Sequence, residues 1–132
     1  MQAKKRVLIL CTGNSARSQM AEGLLRHDAG DWFEVESAGT KPTRVRDEAI
    51  QVMREIGIDI SGHRSKSVDE FTGQQFDYVL TVCDNAKELC PIFSATTKTV
   101  HRSFEDPTSL DDFRRVRDEL RRYLAESAAA WH

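Results

Sequence analysis

The chain has 132 residues, of which 39% are hydrophobic and 30% charged, and its formal net charge is -2. This composition is typical of one globular domain covering residues 1–132 and excludes a disordered chain. The slight negative charge argues against a nucleic-acid partner. The apolar run 7–10 is too short for a signal sequence or a membrane span, so we expect a cytosolic protein that does not bind membranes. We also expect the protein to be a monomer.

Hydrophobic periodicity predicts strands and helices that alternate along the chain. The predicted strands cover residues 6–10, 32–37, 77–82 and, with a weaker pattern, 98–101. The predicted helices cover 16–26, 47–56 and 110–128, with Gly57 ending the second and Ser109 capping the third. This alternation favours a small three-layer α/β/α domain around a four-stranded parallel sheet, which binds ligands beyond the carboxyl ends of its strands.

Residues 11–18 follow the first predicted strand and read Cys-Thr-Gly-Asn-Ser-Ala-Arg-Ser. A glycine-containing loop that opens a helix presents backbone N–H groups and a positive dipole end to a tetrahedral anion. Arg17 can bind two oxygens of that anion, and the same field stabilises the thiolate of Cys11. The predicted oxyanion-binding loop consists of Thr12, Gly13, Asn14, Ser15, Ala16, Arg17 and Ser18.

Within this loop, Ser15 and Ser18 are candidates to donate hydrogen bonds to the Cys11 thiolate or to the loop itself. The alternative interpretation is that Cys11 is a small buried hydrophobic residue at a strand end. The spacing of five residues between cysteine and arginine favours the catalytic interpretation.

The other cysteines are Cys83, which follows the third predicted strand, and Cys90. An odd number of cysteines in a cytosolic protein argues against a structural disulfide framework, and their spacing does not suit structural zinc. Neighbouring parallel strands lie about 4.8 Å apart, so Cys83 can reach Cys11 if the first and third strands are adjacent. Two buried structural thiols flanking a short helix remain the alternative for Cys83 and Cys90.

The spacing of Cys83 and Cys90 predicts a conformational change. If residues 85–89 are helical, the two Cα atoms lie roughly 10 Å apart, which is too far for a disulfide. We therefore predict that residues 83–90 are helical when reduced and looped out when oxidised. Amide hydrogen exchange across this segment should rise on oxidation, and exchange that does not change would contradict the prediction.

An acidic loop, Ser-Phe-Glu-Asp-Pro, follows the fourth predicted strand at residues 103–107. Asp106 is the candidate general acid that protonates the leaving oxygen, and Glu105 is a weaker candidate. A turn-forming Asp-Pro pair is an equally good interpretation of the same residues. We expect His63 and Arg64 to be structural or solvated rather than catalytic.

The chain resembles the thioredoxin-coupled arsenate reductases, which look like low-molecular-weight protein tyrosine phosphatases with added redox cysteines. The likeness covers nearly the whole chain and includes residues 11–23, Ser-Ala-Gly at 37–39, Ile-Ser-Gly-His at 60–63, Thr-Val-Cys at 81–83, Cys90-Pro91 and Asp106-Pro107.

The resemblance implies a relay of three thiols. The Cys11 thiolate attacks arsenate while Asp106 protonates the departing oxygen, and Cys83 then attacks Cys11 so that arsenite leaves. Cys90 attacks Cys83 in turn, and thioredoxin, as the external reductant, reduces the resulting Cys83–Cys90 disulfide. The resemblance implies no tightly bound cofactor.

Two positions depart from the pattern of these relatives. Ala16 stands where many of them have another cysteine, which the relay does not use. Relatives that bind potassium beside the loop match Asn14, Glu22 and Ser37, but Lys66 stands near the place where they offer an aspartate. The ammonium group of Lys66 can replace the ion, so we predict no bound metal.

Two other functions start from the same residues. In a protein tyrosine phosphatase, water would hydrolyse the Cys11 adduct, and weak phosphatase activity is expected in either case because phosphate and arsenate have similar shapes. Such phosphatases often have aromatic residues after Asp-Pro, whereas this chain has Thr108 and Ser109. A non-enzymatic sensor that binds arsenite or an oxyanion would need an output surface, and none is visible in the sequence.

Overall fold

The computed structural model describes residues 4–83 and 97–131. The strands are β1 (Lys5–Cys11), β2 (Phe33–Gly39), β3 (Tyr78–Thr81) and β4 (Lys98–His101). The α-helices are α1 (Arg17–Ala29), α2 (Asp47–Glu55) and α3 (Leu110–Trp131), and a 3-10 helix covers Val68–Phe71. None of the helices in these two segments is both long and apolar enough to cross a membrane.

The four strands form one parallel sheet in the order β2-β1-β3-β4. Strand β1 is internal, and its residues 7–10 are completely buried, as expected for a parallel strand covered on both faces. The register pairs Cys11 with Gly39 of β2 and Leu10 with Thr81 of β3. The predicted four-stranded parallel sheet with flanking helices is confirmed, and β1 and β3 are adjacent.

Helices α1 and α3 pack against each other, and the apolar side of α3 fills the core with completely buried side chains such as Phe113 and Leu120. At the far end of α3, the ring of Trp131 stacks on Tyr78 with centroids 4.4 Å apart and meets Phe33 edge to face. These aromatic contacts fix the end of the helix against the first residues of β2 and β3.

Most predicted element boundaries agree with the structure within one to three residues. Gly57 has a φ of 80° and follows α2 as predicted, and the Ser109 hydroxyl accepts a hydrogen bond from the Asp112 N–H at 3.1 Å. Helix α3 continues three residues beyond the predicted end because Trp131 is buried against the sheet. The predicted helix within residues 83–90 lies outside the described residues from Asp84 onward.

Helix α3 offers a test of how much the core contributes to stability. Leu120→Ala removes a completely buried side chain and should lower the free energy of unfolding by about 2–5 kcal/mol. Arg122→Ala, on the exposed side of the same helix, is the matched control and should change it by less than about 0.5 kcal/mol. Urea denaturation of both variants measures the difference, and equal effects would show that α3 is not packed as described.

Candidate active site

The predicted oxyanion-binding loop lies at the carboxyl end of the internal strand β1 and leads into α1. Ala16 is the N-cap residue of α1, no side chain caps it, and the first turn contains no acidic residue. The first N–H groups of a helix have no partner within the helix, so here they are available to an anion. Cys11 precedes them with only 2% of its surface exposed.

The shape of the loop depends on Asn14, which has a φ of 45° and is completely buried. Its amide oxygen accepts a hydrogen bond from the Lys66 backbone N–H at 2.8 Å. Because that N–H can only donate, the orientation of the Asn14 amide is fixed. Its nitrogen therefore donates to the hydroxyls of Ser18 at 2.8 Å and Ser37 at 3.0 Å.

This orientation sets the direction of the hydrogen bond at the nucleophile. The Ser18 oxygen lies 2.8 Å from the Cys11 sulfur and already accepts from Asn14. The single Ser18 proton is then directed at the sulfur, where it stabilises a thiolate. Of the two serines that the sequence suggested for this contact, the structure places Ser18 there. The carbonyl of the other, Ser15, accepts from the Arg46 N–H.

The loop is held from outside by the chain that follows β2. Backbone N–H groups of Lys41 and Thr43 donate to the carbonyls of Thr12 and Gly13 at 2.8 and 3.0 Å. Gly39, the last residue of β2, packs directly against the loop: a Cβ atom there would lie 2.5 Å from the Thr12 oxygen and 2.8 Å from the Asn14 nitrogen. The end of β2 can therefore lie this close to the loop only if residue 39 is glycine.

Arg17 of the oxyanion-binding loop (residues 12–18), which we call the cradle, contacts the acidic loop at residues 103–107. Arg17 donates to the Phe104 carbonyl at 3.0 Å, and its other terminal nitrogen lies 3.8 Å from the carboxylate of Asp106. The Asp106 side chain is 69% exposed. Glu105 instead pairs with Arg115 of α3 at 2.9 Å, so of the two candidate acids Asp106 is the one that contacts Arg17.

The second cysteine lies against the cradle as well. The Cys83 sulfur accepts from the backbone N–H of Thr12 at 3.2 Å and lies 3.3 Å from the Thr12 hydroxyl. Both Cys11 and Cys83 are free thiols, and Cys83 is 4% exposed. The adjacency of β1 and β3 thus brings this thiol next to the residue that follows the nucleophile. Cys90, the third cysteine of the predicted relay, lies outside the described residues.

A buried ion pair lies behind the cradle. Glu22 of α1 is 2% exposed and accepts from the Ser37 hydroxyl at 2.5 Å, while the Lys66 ammonium lies 3.3 Å from the same oxygen. Arg26 contacts its second oxygen at 2.9 Å. Since the ammonium already occupies this carboxylate, these residues do not fit an additional potassium ion. No group of three His, Cys, Asp or Glu side chains suited to a metal occurs in residues 4–83 and 97–131.

Two residues that we expected to be structural or solvated have clear partners. His63 Nδ1 lies 3.0 Å from Gln19 Oε1, and burial lowers the pKa of this imidazole. Arg64 is exposed and pairs with Glu70 at 2.5 Å. The sequence did not suggest the His63–Gln19 contact, because it joins residues 44 positions apart in the chain. The position of Lys66 beside Glu22 agrees with the expectation that its ammonium group lies where relatives bind an ion.

Fold and site together define a parallel α/β domain in which a cysteine ends the internal strand and a loop leads from it to an uncapped helix N-terminus. The family model for low molecular weight phosphotyrosine protein phosphatase matches residues 6–130, and the chain belongs to this family.

Similar proteins within this family include arsenate reductases, which are oxidoreductases. The chain is 43% identical over 120 residues to arsenate reductase 2 of Staphylococcus epidermidis, covering 89% of this chain and 92% of the relative. A solved arsenate reductase in its oxidized state superimposes with a TM-score of 0.85 at 34% identity, covering 97% of this chain and 99% of that one. A thioredoxin-dependent arsenate reductase of Corynebacterium glutamicum has a TM-score of 0.79 at 26% identity, covering 99% and 65%.

The contact of Gly39 with the cradle gives a test of the site geometry. Gly39→Ala should weaken inorganic phosphate binding about tenfold or more, because the added methyl group displaces the backbone of Thr12 and Asn14. Gly62→Ala is the matched control, since a Cβ there meets no atom within 4 Å. Isothermal titration calorimetry with phosphate measures both variants. Unchanged affinity in Gly39→Ala would contradict the described approach of β2 to the loop.

Proposed function

We propose that the protein reduces arsenate to arsenite by a relay of Cys11, Cys83 and Cys90, for arsenic detoxification. The observation that carries this proposal is the position of Cys83, whose sulfur contacts Thr12 of the cradle. A phosphatase needs only the first cysteine, whereas reduction needs a second thiol beside it. The resemblance to arsenate reductases over most of both chains supports the same conclusion.

In the first step, the Cys11 thiolate attacks arsenic. A sulfur–arsenic bond forms, an arsenic–oxygen bond breaks, and the leaving oxygen takes a proton from Asp106 and departs as water. Arg17 and the N–H groups at the start of α1 bind the remaining oxygens. The contact of Arg17 with both the Phe104 carbonyl and Asp106 supports this role for the acidic loop.

In the second step, Cys83 attacks the sulfur of Cys11. The new disulfide forms as the sulfur–arsenic bond breaks, and its electron pair stays on arsenic, so arsenic(V) becomes arsenic(III) and leaves as arsenite. The attacking group must be a thiolate, and the Thr12 N–H and hydroxyl can both donate to the Cys83 sulfur. Thr12 therefore stabilises the attacking form of Cys83 while Ser18 does the same for Cys11.

In the third step, Cys90 attacks Cys83, which frees Cys11 and leaves a Cys83–Cys90 disulfide. We propose thioredoxin as the external dithiol that reduces it, in keeping with the thioredoxin-dependent relative from Corynebacterium glutamicum. The proposed reaction needs no tightly bound cofactor, and the Lys66 ammonium supplies a positive charge 3.3 Å from Glu22. A reducing cytoplasm suits this chemistry, and we propose that the protein acts there as a monomer.

The family also contains phosphatases, so hydrolysis of an aryl phosphate is the second candidate activity. The residue after Asp106-Pro107 argues against it as the main function. Thr108 is exposed, and its hydroxyl donates to Asp112 at 2.9 Å at the start of α3. Because the Thr108 side chain is hydrogen-bonded at the start of this helix, it provides no surface on which the aromatic ring of a substrate could stack. A sensor is less well supported, because it would not need the contact between Arg17 and Asp106.

Two activities separate these functions. With thioredoxin, its reductase and NADPH, the protein should oxidise NADPH in an arsenate-dependent manner. Cys83→Ser should abolish this activity and retain hydrolysis of an aryl phosphate, whereas Cys11→Ser should abolish both. Cys90→Ser should release about one arsenite per molecule and then stop as a Cys11–Cys83 disulfide, which mass spectrometry of the peptides identifies.

The outcomes assign the function. Absence of arsenate turnover in the parent protein, or equal loss of both activities in Cys83→Ser, would contradict the reductase and favour a phosphatase. Absence of both activities in a folded parent protein that binds arsenite would favour the sensor.

A further inference from the structure

Gln19 is a buried polar residue that takes no part in the three thiol steps. It lies in the first turn of α1 and is completely buried. Its Nε2 atom lies 3.2 Å from the Asn14 carbonyl oxygen, 2.9 Å from the Asn14 side-chain oxygen and 2.9 Å from the Arg64 carbonyl oxygen. Through this amide, α1 is joined to the oxyanion-binding loop and to the segment around residue 64.

The orientation of the Gln19 amide follows from its partners. Carbonyl oxygens carry no proton, so the end of the amide that faces Asn14 and Arg64 must be the NH2 group. The Gln19 oxygen then faces His63 Nδ1 at 3.0 Å. His63 must therefore carry a proton on Nδ1 and donate it to Gln19.

The surroundings of His63 favour a neutral ring with this tautomer. Burial lowers the pKa of His63, and Arg26 and Lys66 lower it further, while Glu22 and Glu36 oppose the shift. The other ring nitrogen, Nε2, lies 3.6 Å from a Glu22 oxygen. That carboxylate is already bound by Arg26 and Lys66, so it does not need a proton from the imidazole.

Gln19 affects the Cys11 sulfur indirectly, through its hydrogen bonds to Asn14. A left-handed backbone is unfavourable for residues with a side chain, and although asparagine adopts it more readily than most, the hydrogen-bond partners of Asn14 help to hold it there. Lys66 binds the side-chain oxygen alone, whereas Gln19 binds both the side chain and the backbone carbonyl. Gln19 is thus the partner that fixes the backbone turn and the side chain together.

We propose that Gln19 is a positioning residue for the nucleophile: oriented by His63, it holds Asn14 in the conformation that directs the Ser18 proton at the Cys11 sulfur. It touches neither the substrate nor the sulfur and acts through two intervening side chains. The inference rests on Cys11 being the nucleophile of the proposed function. It is independent of whether the adduct is then reduced or hydrolysed.

The test measures the thiolate of Cys11 directly. In a Cys83→Ser/Cys90→Ser background, Cys11 is the only thiol, and its alkylation rate by iodoacetamide reports the thiolate fraction. At about pH 6 the thiolate fraction of Cys11 depends on how strongly the protein stabilises the thiolate, so Gln19→Met should slow alkylation about tenfold. At about pH 10 the thiol is ionised in both proteins, and the rate should not change. Gln51→Met, at an exposed position of α2, is the matched control and should match the parent at both pH values.

A general loss of packing would give a different result. It would slow or speed alkylation at both pH values, and that outcome, like an unchanged rate at about pH 6, would overturn the proposal. Hydrolysis of an aryl phosphate by Gln19→Met should show a lower kcat with a smaller change in KM, because ground-state binding uses the backbone N–H groups. This readout needs no arsenate, so failure of the reductase function would not be mistaken for failure of this inference.

A second pair of variants keeps the proposal testable if Gln19→Met does not fold. An asparagine side chain can place its NH2 group where His63 holds Nδ1, whereas leucine offers no donor. His63→Asn should therefore alkylate like the parent, and His63→Leu should be slower at about pH 6 only. Equal rates in the two variants, or nitrogen-15 NMR of His63 showing the proton on Nε2, would overturn the proposal.

Discussion

The site depends on the left-handed turn at Asn14. Placing a non-glycine residue at a φ of 45° is unfavourable, and the turn persists because hydrogen bonds from three separate segments satisfy both ends of its side chain. With the turn in place, the Asn14 amide donates to Ser18, and Ser18 faces Cys11. The hydrogen bond at the Cys11 sulfur is therefore a consequence of one buried amide.

The internal position of β1 determines what else can reach the anion. In a parallel sheet the carboxyl ends of all strands lie on one edge, so the residues that follow β3 and β4 arrive beside the cradle. Cys83 comes from the adjacent strand and contacts Thr12, while Asp106 follows the next strand and reaches Arg17. The strand order thus places a second thiol against Thr12 and an acid against Arg17, at the two ends of the same loop.

The polar layer behind the cradle explains why a buried carboxylate is tolerated there. Glu22 is almost inaccessible to solvent, but Lys66, Arg26 and the Ser37 hydroxyl bind its oxygens. Burying a carboxylate without such partners would cost several kcal/mol. Because Ser37 also accepts from Asn14, the ion pair and the cradle belong to one hydrogen-bonded network, and the Lys66 charge lies within it.

Local sequence signals determined the element order, the parallel sheet, the glycine that ends α2, the Ser109 cap and the cradle loop, because periodicity, capping and a strand-to-helix turn involve residues near each other in the chain. Only the tertiary structure decided which acid of the loop faces Arg17, and which residues bind Asn14. Glu105 and Asp106 are neighbours in sequence, and their roles diverge because Arg115 of α3 binds one of them. Gln19 with His63, Glu22 with Lys66 and Thr12 with Cys83 are pairs 44 to 71 positions apart. Their hydrogen bonds depend on distances between packed elements, and no local spacing in the sequence encodes such distances.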